Sequence, residues 1–199
     1  MGRRADHTRE QLSALVIDAA SKIITKNGSE ALSMRAIATA IGYAAGSIYN
    51  AVGDVRQVLS EVNTRTLDAL ADWLEEAQAG ASPHAAPIER VLQVADAYLE
   101  FVRTKPALWG AVLANPPSPE APASIPYATA RARNIAIVER VLQPFFPDER
   151  ARRTAVIALW SAMQGIATFS LGGNYSFMGA EIKSRDIAHL LIRRFLEAQ

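Results

Sequence analysis

The sequence predicts an all-α protein of about nine helices in two parts, and three observations carry that prediction. Alanine, the best helix former, occurs 37 times in 199 residues, and half of the chain is hydrophobic. All 10 prolines fall at or after Pro83, so the first 82 residues are helical material punctuated only by glycine. Apolar residues recur at i, i+3/i+4, and no stretch shows the strict alternation of a strand.

Taken in order, Leu12, Val16, Ala19, Ala20, Ile23 and Ile24 line one face of a first helix over about 9–26, which Asn27-Gly28 stops. Ser33 suits the N-cap of a short helix through Met34, Ile37, Ala38 and Ile41, and Gly42 suits its C′ position. A second short segment covers Ala44 to Asn50. Asp54 with Gln57 three residues on forms a capping-box pattern at the head of a long helix to about Ala79. Residues 80–87, with Gly, Ser and two Pro, form a linker or a joint between helices. Beyond it Ile88, Val91, Leu92, Ala95, Leu99 and Val102 make another amphipathic stripe, and Pro106 opens a new helix in its first turn. The proline-rich run 115–126 reads as an exposed loop. Helical periodicity resumes through Ile135, Val138 and Leu142, again from Asp148 to about Leu171, and finally from Ser184 to about Ala198.

Composition excludes several classes. There are no cysteines, which removes thiol catalysis, disulfides and Cys-ligated zinc. No apolar run approaches the roughly 18 residues of a membrane span, and the N-terminus does not resemble a signal sequence, so a soluble, cytoplasmic chain without membrane association is expected. The formal net charge is +1, with 21 basic and 20 acidic residues. Residues 1–60 carry seven basic and five acidic side chains, a net of +2, so the head of the chain is mildly basic.

The segment from Ser33 to Tyr49 places two short helices around a glycine turn, with Ala38 small enough for a close crossing and Ile48 turned to the core. That pattern is a helix-turn-helix, whose second helix enters the major groove of double-stranded DNA. Tyr43, Ala44, Ala45, Ser47, Tyr49 and Asn50 are its outward candidates. Asn suits a bidentate contact with adenine, and Ala suits a thymine methyl. Ser33 and Tyr49 suit phosphates, with Arg35 and Arg56 as nearby cations, and Arg3 and Arg4 suit either an N-terminal arm on the backbone or minor groove or a solvated terminus.

Here the chain resembles the TetR family of bacterial transcriptional regulators. The resemblance covers about residues 9–62 and rests on Ala19-Ala20, Gly28, Ser33, Ile37-Ala38, Gly42, Gly46-Ser47-Ile48-Tyr49 and Leu59. The chain departs from the family pattern at Val52, where Phe is usual, and at Val55, where a phosphate-gripping Lys is usual. The resemblance implies a three-helix DNA-binding domain over 1–60 and a helical ligand-binding and dimerisation domain over 61–199. In that second part Tyr98-Leu-Glu-Phe101, Pro106-Ala-Leu-Trp109 and Trp160-Ser-Ala-Met-Gln164-Gly165 resemble a subgroup with a Trp followed by His-Gly, Gln164 standing where the His would be.

Pocket candidates for a small hydrophobic or aromatic effector are Tyr98, Phe101, Trp109, Tyr127, Trp160, Met163, Gln164 and Phe169, which equally suit core filling. The apolar stripes Val156, Leu159, Trp160, Met163, Ile166 and Ile187, Leu190, Leu191, Phe195 need a core or a second subunit. By resemblance the last two long helices pair with their mates in a homodimer, and the operator is palindromic. The implied function is a repressor released from DNA by effector. An effector-independent DNA-binding protein and a helical interaction protein without DNA contacts remain open. Catalysis and cofactors are not expected. His7, His84 and His189 are far apart and read as solvated or capping residues rather than metal ligands, and Glu75-Glu76 and Asp148-Glu149 read as solvated or capping.

Overall fold

In the computed structural model the described residues are 7–119, 122–173, 175 and 182–197. Among them the chain forms nine α-helices: α1 (Arg9–Asn27), α2 (Met34–Ile41), α3 (Ala45–Val52), α4 (Val55–Ala79), α5 (Pro87–Thr104), α6 (Pro106–Ala114), α7 (Ile125–Leu142), α8 (Glu149–Leu171) and α9 (Ser184–Glu197). They make two compact units. The first holds the described residues up to Thr66 together with Ala107–Ala128, and the second holds Leu67–Pro106 and the residues from Thr129 onward.

Capping sets where three of the long helices begin. Thr8 and Gln11 cap α1 reciprocally: the Thr8 hydroxyl accepts from the Gln11 backbone at 3.2 Å, and Gln11 Oε1 accepts from the Thr8 backbone at 2.8 Å. Asp54 and Gln57 repeat the arrangement at α4, at 2.9 and 3.0 Å. The Gln57 backbone N–H is the main cause that holds the Asp54 carboxyl below its ordinary range, with Arg56 adding to it. Asp148 caps α8 by accepting from the Ala151 N–H at 2.8 Å.

The core of the first unit is built from inward faces of α1 to α4. Val16, Ala20, Ile24, Ile37, Ile48 and Val58 are fully buried there, and Ala111 of α6 joins the same cluster. Asn63 on α4 donates to the Ala111 carbonyl at 3.4 Å, and Arg65 pairs with Asp18 of α1 at 2.9 Å.

In the second unit Leu70, Leu74, Phe101, Ile137, Leu142 and Ile192 are the large, fully buried side chains. Two adjacent residues fasten α7 to α4. Asn134, buried, donates to the Leu67 carbonyl at 2.8 Å and to Ala130 at 2.9 Å. Arg133 reaches Asp72 at 2.8 Å and Glu75 at 2.6 Å, so Glu75 is an ion-pair partner and not merely solvated. Asp96 on α5 receives Arg185 at 2.6 Å and His189 at 2.8 Å from α9. His189 therefore has a specific partner, as does His7, which is exposed like His84.

Two boundary expectations change. Helix α7 starts at Ile125, inside the expected loop, because the Ser124 hydroxyl accepts from the Tyr127 N–H at 3.3 Å and Pro126 sits in the first turn, where a missing N–H costs nothing. Helix α8 carries 18 uncharged residues over 154–171 and is, by length and composition, long and apolar enough to cross a membrane. Here one face of it packs into the second unit, with Ala155, Val156, Leu159, Met163, Ile166 and Ala167 buried.

Candidate nucleic-acid interface

The α2–α3 pair is set by its turn. Ser33 Oγ accepts from the Ala36 N–H at 3.1 Å and starts α2. Gly42 ends it in the left-handed region, at φ 72° and ψ 30°, where a side chain costs about 1–2 kcal/mol. Both Gly42 and Tyr43 donate their N–H to the Ala38 carbonyl, at 2.9 and 3.1 Å, so the chain reverses tightly into α3.

On α3 only Ile48 is fully buried, and Ala51 and Val52 lean on the same core. Ala44, Ala45, Ser47, Tyr49 and Asn50 all face out, and Tyr49 is 51% exposed despite its size. An exposed face carrying an amide, a hydroxyl and two small apolar groups over one buried anchor is what a major-groove reader requires. The helix also begins without a side-chain cap, since Ala44 has none to offer, so its first N–H groups are suited to a phosphate.

Tyr43 is half-buried, with its hydroxyl 2.6 Å from His7 Nδ1. Arg35 is exposed. Val55 packs against the first core, so the position that the TetR pattern gives to Lys is structural here. The Arg56 side chain beside it is 80% exposed and contacts Asp54 at 3.2 Å, a surface pair that competes weakly with a phosphate. Arg3 and Arg4 lie outside the described residues. In the sequence His7 reads as solvated or capping and Arg9 only as one of the basic residues of the head; their partners, 36 and 42 residues away, leave no local signal.

The second unit contains a cavity of about 50 Å³ lined by Leu74, Val94, Tyr98, Val138, Trp160 and Met163 among other apolar residues. Of the eight pocket candidates, Tyr98, Trp160 and Met163 line it, with the Tyr98 and Trp160 rings 5.5 Å apart. Gln164 is next to it in the chain and accepts from the Tyr98 hydroxyl at 2.5 Å. Phe101 is fully buried against Trp73, edge to face at 5.7 Å. Trp109 and Tyr127 are buried in the first unit, and Phe169 is half exposed. Among the dimer candidates Val156, Leu159 and Ile166 are buried within the chain, Ile187, Leu191 and Phe195 are partly buried, and Leu190 is 63% exposed. Ile157, not among those candidates, is 62% exposed on α8. Among the described residues no cluster of His, Asp or Glu could hold a metal ion.

These features define a helix-turn-helix protein of the DNA-binding class. Residues 16–51 match the family model for bacterial regulatory proteins of the tetR family, and residues 91–195 match the Tetracyclin repressor-like C-terminal domain. The chain belongs to the TetR family of transcriptional regulators, and as such it is a DNA-binding regulator and not an enzyme. An uncharacterized HTH-type transcriptional regulator of Mycobacterium tuberculosis, Rv0681, is 25% identical over 158 residues, covering 79% of this chain and 69% of that protein. Among solved structures, a Rhodococcus sp. RHA1 protein of unknown function shares the fold with a TM-score of 0.80 at 18% identity, covering 99% of this chain and 98% of that one. The fatty acid degradation regulator FadR from Bacillus halodurans shares it with a TM-score of 0.64 at 17% identity, covering 90% and 93%.

Proposed function

We propose that this chain is a sequence-specific repressor, reading a palindromic operator as a homodimer in the cytoplasm and leaving DNA when an uncharged apolar effector enters the second unit. The observation that carries the reading is the α3 face: Ser47, Tyr49 and Asn50 stand exposed while Ile48 alone is fully buried beneath them. Arg35, Arg56, Ser33 and an arm containing Arg3 and Arg4 supply the phosphate contacts. A two-fold dimer sets its recognition helices one turn of DNA apart, roughly 34–36 Å. Ile157 and Leu190 are among the exposed apolar groups on α8 and α9 that a second copy would cover.

The cavity supports the effector half of the proposal. Its lining holds no charged side chain, which favours a neutral ligand over a carboxylate. At about 50 Å³ it is far below the roughly 300 Å³ of an ordinary ligand site, so an effector must push its walls apart. One wall, Leu74, belongs to α4, the helix that runs on from the helix-turn-helix. A coupling of about 1–3 kcal/mol between effector and DNA is sufficient for regulation.

The test is a gel shift with DNA upstream of the chain's own gene, with and without a panel of neutral aromatic and aliphatic compounds. Retarded DNA that one class of compound releases is expected. Retardation that no compound relieves would leave an effector-independent DNA-binding protein, and no retardation of any DNA would leave an interaction protein. Sedimentation at micromolar concentration should give a dimer, and a monomer there would remove the two-fold operator.

A further inference from the structure

We propose that His7 is a positioning residue of the DNA-reading face, holding the Tyr43 hydroxyl so that Tyr43 presents its proton to a phosphate. This inference rests on the reading of α3 as the DNA-contacting helix.

Tyr43 immediately follows the Gly42 turn and precedes α3. Its N–H is bonded to the Ala38 carbonyl, and it is partly buried against the first core. That packing leaves the hydroxyl as the polar end of a ring with little freedom. His7 Nδ1 lies 2.6 Å from that oxygen, with ring centroids 6.0 Å apart and planes tilted by 57°. The contact is therefore a hydrogen bond between edges and not a stacked pair. His7 is itself anchored, because Thr8 beside it is locked on both sides by Gln11. Two residues further on, Arg9 Nε donates to the Ala51 carbonyl at 3.4 Å, in the last turn of α3. The head of α1 thus holds the approach to α3 through His7 and its far end through Arg9.

A lone tyrosine hydroxyl has one proton to give, and it can donate to His7 or to a phosphate but not to both. A phosphate beside Tyr43 resolves the choice. With the imidazole proton on Nδ1, His7 donates to the Tyr43 oxygen and Tyr43 donates outward, and each bond strengthens the next. His7 then touches no DNA and acts through Tyr43 alone.

The experiment uses the full-length protein and an operator fragment selected by it from random DNA. The variants are His7→Ala, His7→Asn, Tyr43→Phe and the double variant His7→Ala/Tyr43→Phe. Asparagine places a donor close to where Nδ1 stands. His7→Ala and Tyr43→Phe should each weaken operator binding by about 3- to 10-fold, the worth of one hydrogen bond. The double variant should bind no more weakly than the weaker single, and His7→Asn should recover most of the loss. Melting temperatures of all four should stay close to that of the native chain, since the bond is exposed. Unchanged affinity in His7→Ala overturns the inference, as does a double variant whose loss is the product of the two singles. If His7→Asn is as weak as His7→Ala, hydrogen bonding at this position is excluded. Failure of the native chain to select any sequence would overturn the DNA-reading proposal itself, and this inference with it.

Discussion

The Tyr98 hydroxyl donates a 2.5 Å hydrogen bond to Gln164 Oε1, joining α5 to α8 beside the apolar cavity, while Gln164 Nε2 donates to Thr168 one turn on. Gln164 thus serves as an acceptor with its own support. Gln164→Leu keeps the volume and removes the acceptor, and should cost about 1–2 kcal/mol, lowering the melting temperature by roughly 2–8 °C. Calorimetry of the two proteins checks this, and equal midpoints would show that the bond adds nothing net.

Gly53 should tolerate no side chain. Its φ is 75°, and a Cβ there would collide with the Gln57 side chain that closes the α4 capping box. Gly53→Ala combines backbone strain with loss of the cap and should destabilise by about 1–3 kcal/mol. Urea titration should show it to be worse than Gln57→Ala, which loses only the reciprocal bond.

Acid should weaken the α4–α7 fastening in a defined window. Hydrogen bonding from Arg133 is the main cause that holds the Glu75 carboxyl below its ordinary range. A depressed folded-state value adds stability above the unfolded value of about 4.3, and that stability is lost as pH falls through the folded value. The deficit of Arg133→Met should therefore be constant between about pH 6 and 8 and shrink below about pH 4.3. Both side chains are more than one-third exposed, so the effect is small. Denaturant midpoints at pH 7 and at the acid end test the sign, and a deficit that grows with acid contradicts it.

Asn50 should read a base. Its side chain is exposed on α3 and suits the paired donor and acceptor of adenine. Asn50→Ala should lose about 1–3 kcal/mol of discrimination at one base pair per half-site, with little change in fold stability. Binding measured against single-base operator variants decides it, and an unchanged preference removes Asn50 from the readout.

Much of the architecture was legible because its determinants are local. Ser33, Gly42, Asp54 with Gln57, Pro106 and Asp148 each act on groups within four residues, and each stands where its chemistry places it. Ile48 was legible as the anchor of α3 because helical spacing turns it away from Ser47, Tyr49 and Asn50. The start of α7 was not, because Pro126 reads as a breaker until Ser124 is seen to cap the turn around it.

Residues close together in the chain made most of the helices, the caps at Ser33, Asp54 and Asp148, and the helix-turn-helix readable, since hydrogen bonds and side-chain periodicity inside a helix reach only one turn along the chain. Tertiary structure alone decided which amphipathic residues meet. It brought Ala111 to the first core, set His7 on Tyr43, paired Arg133 with Glu75, and sorted Tyr98 and Trp160 to a cavity while burying Phe101 as core. An aromatic or charged side chain has the same local pattern in either role. Only the free energy of the packed chain, with its long-range burial and pairing, distinguishes the two.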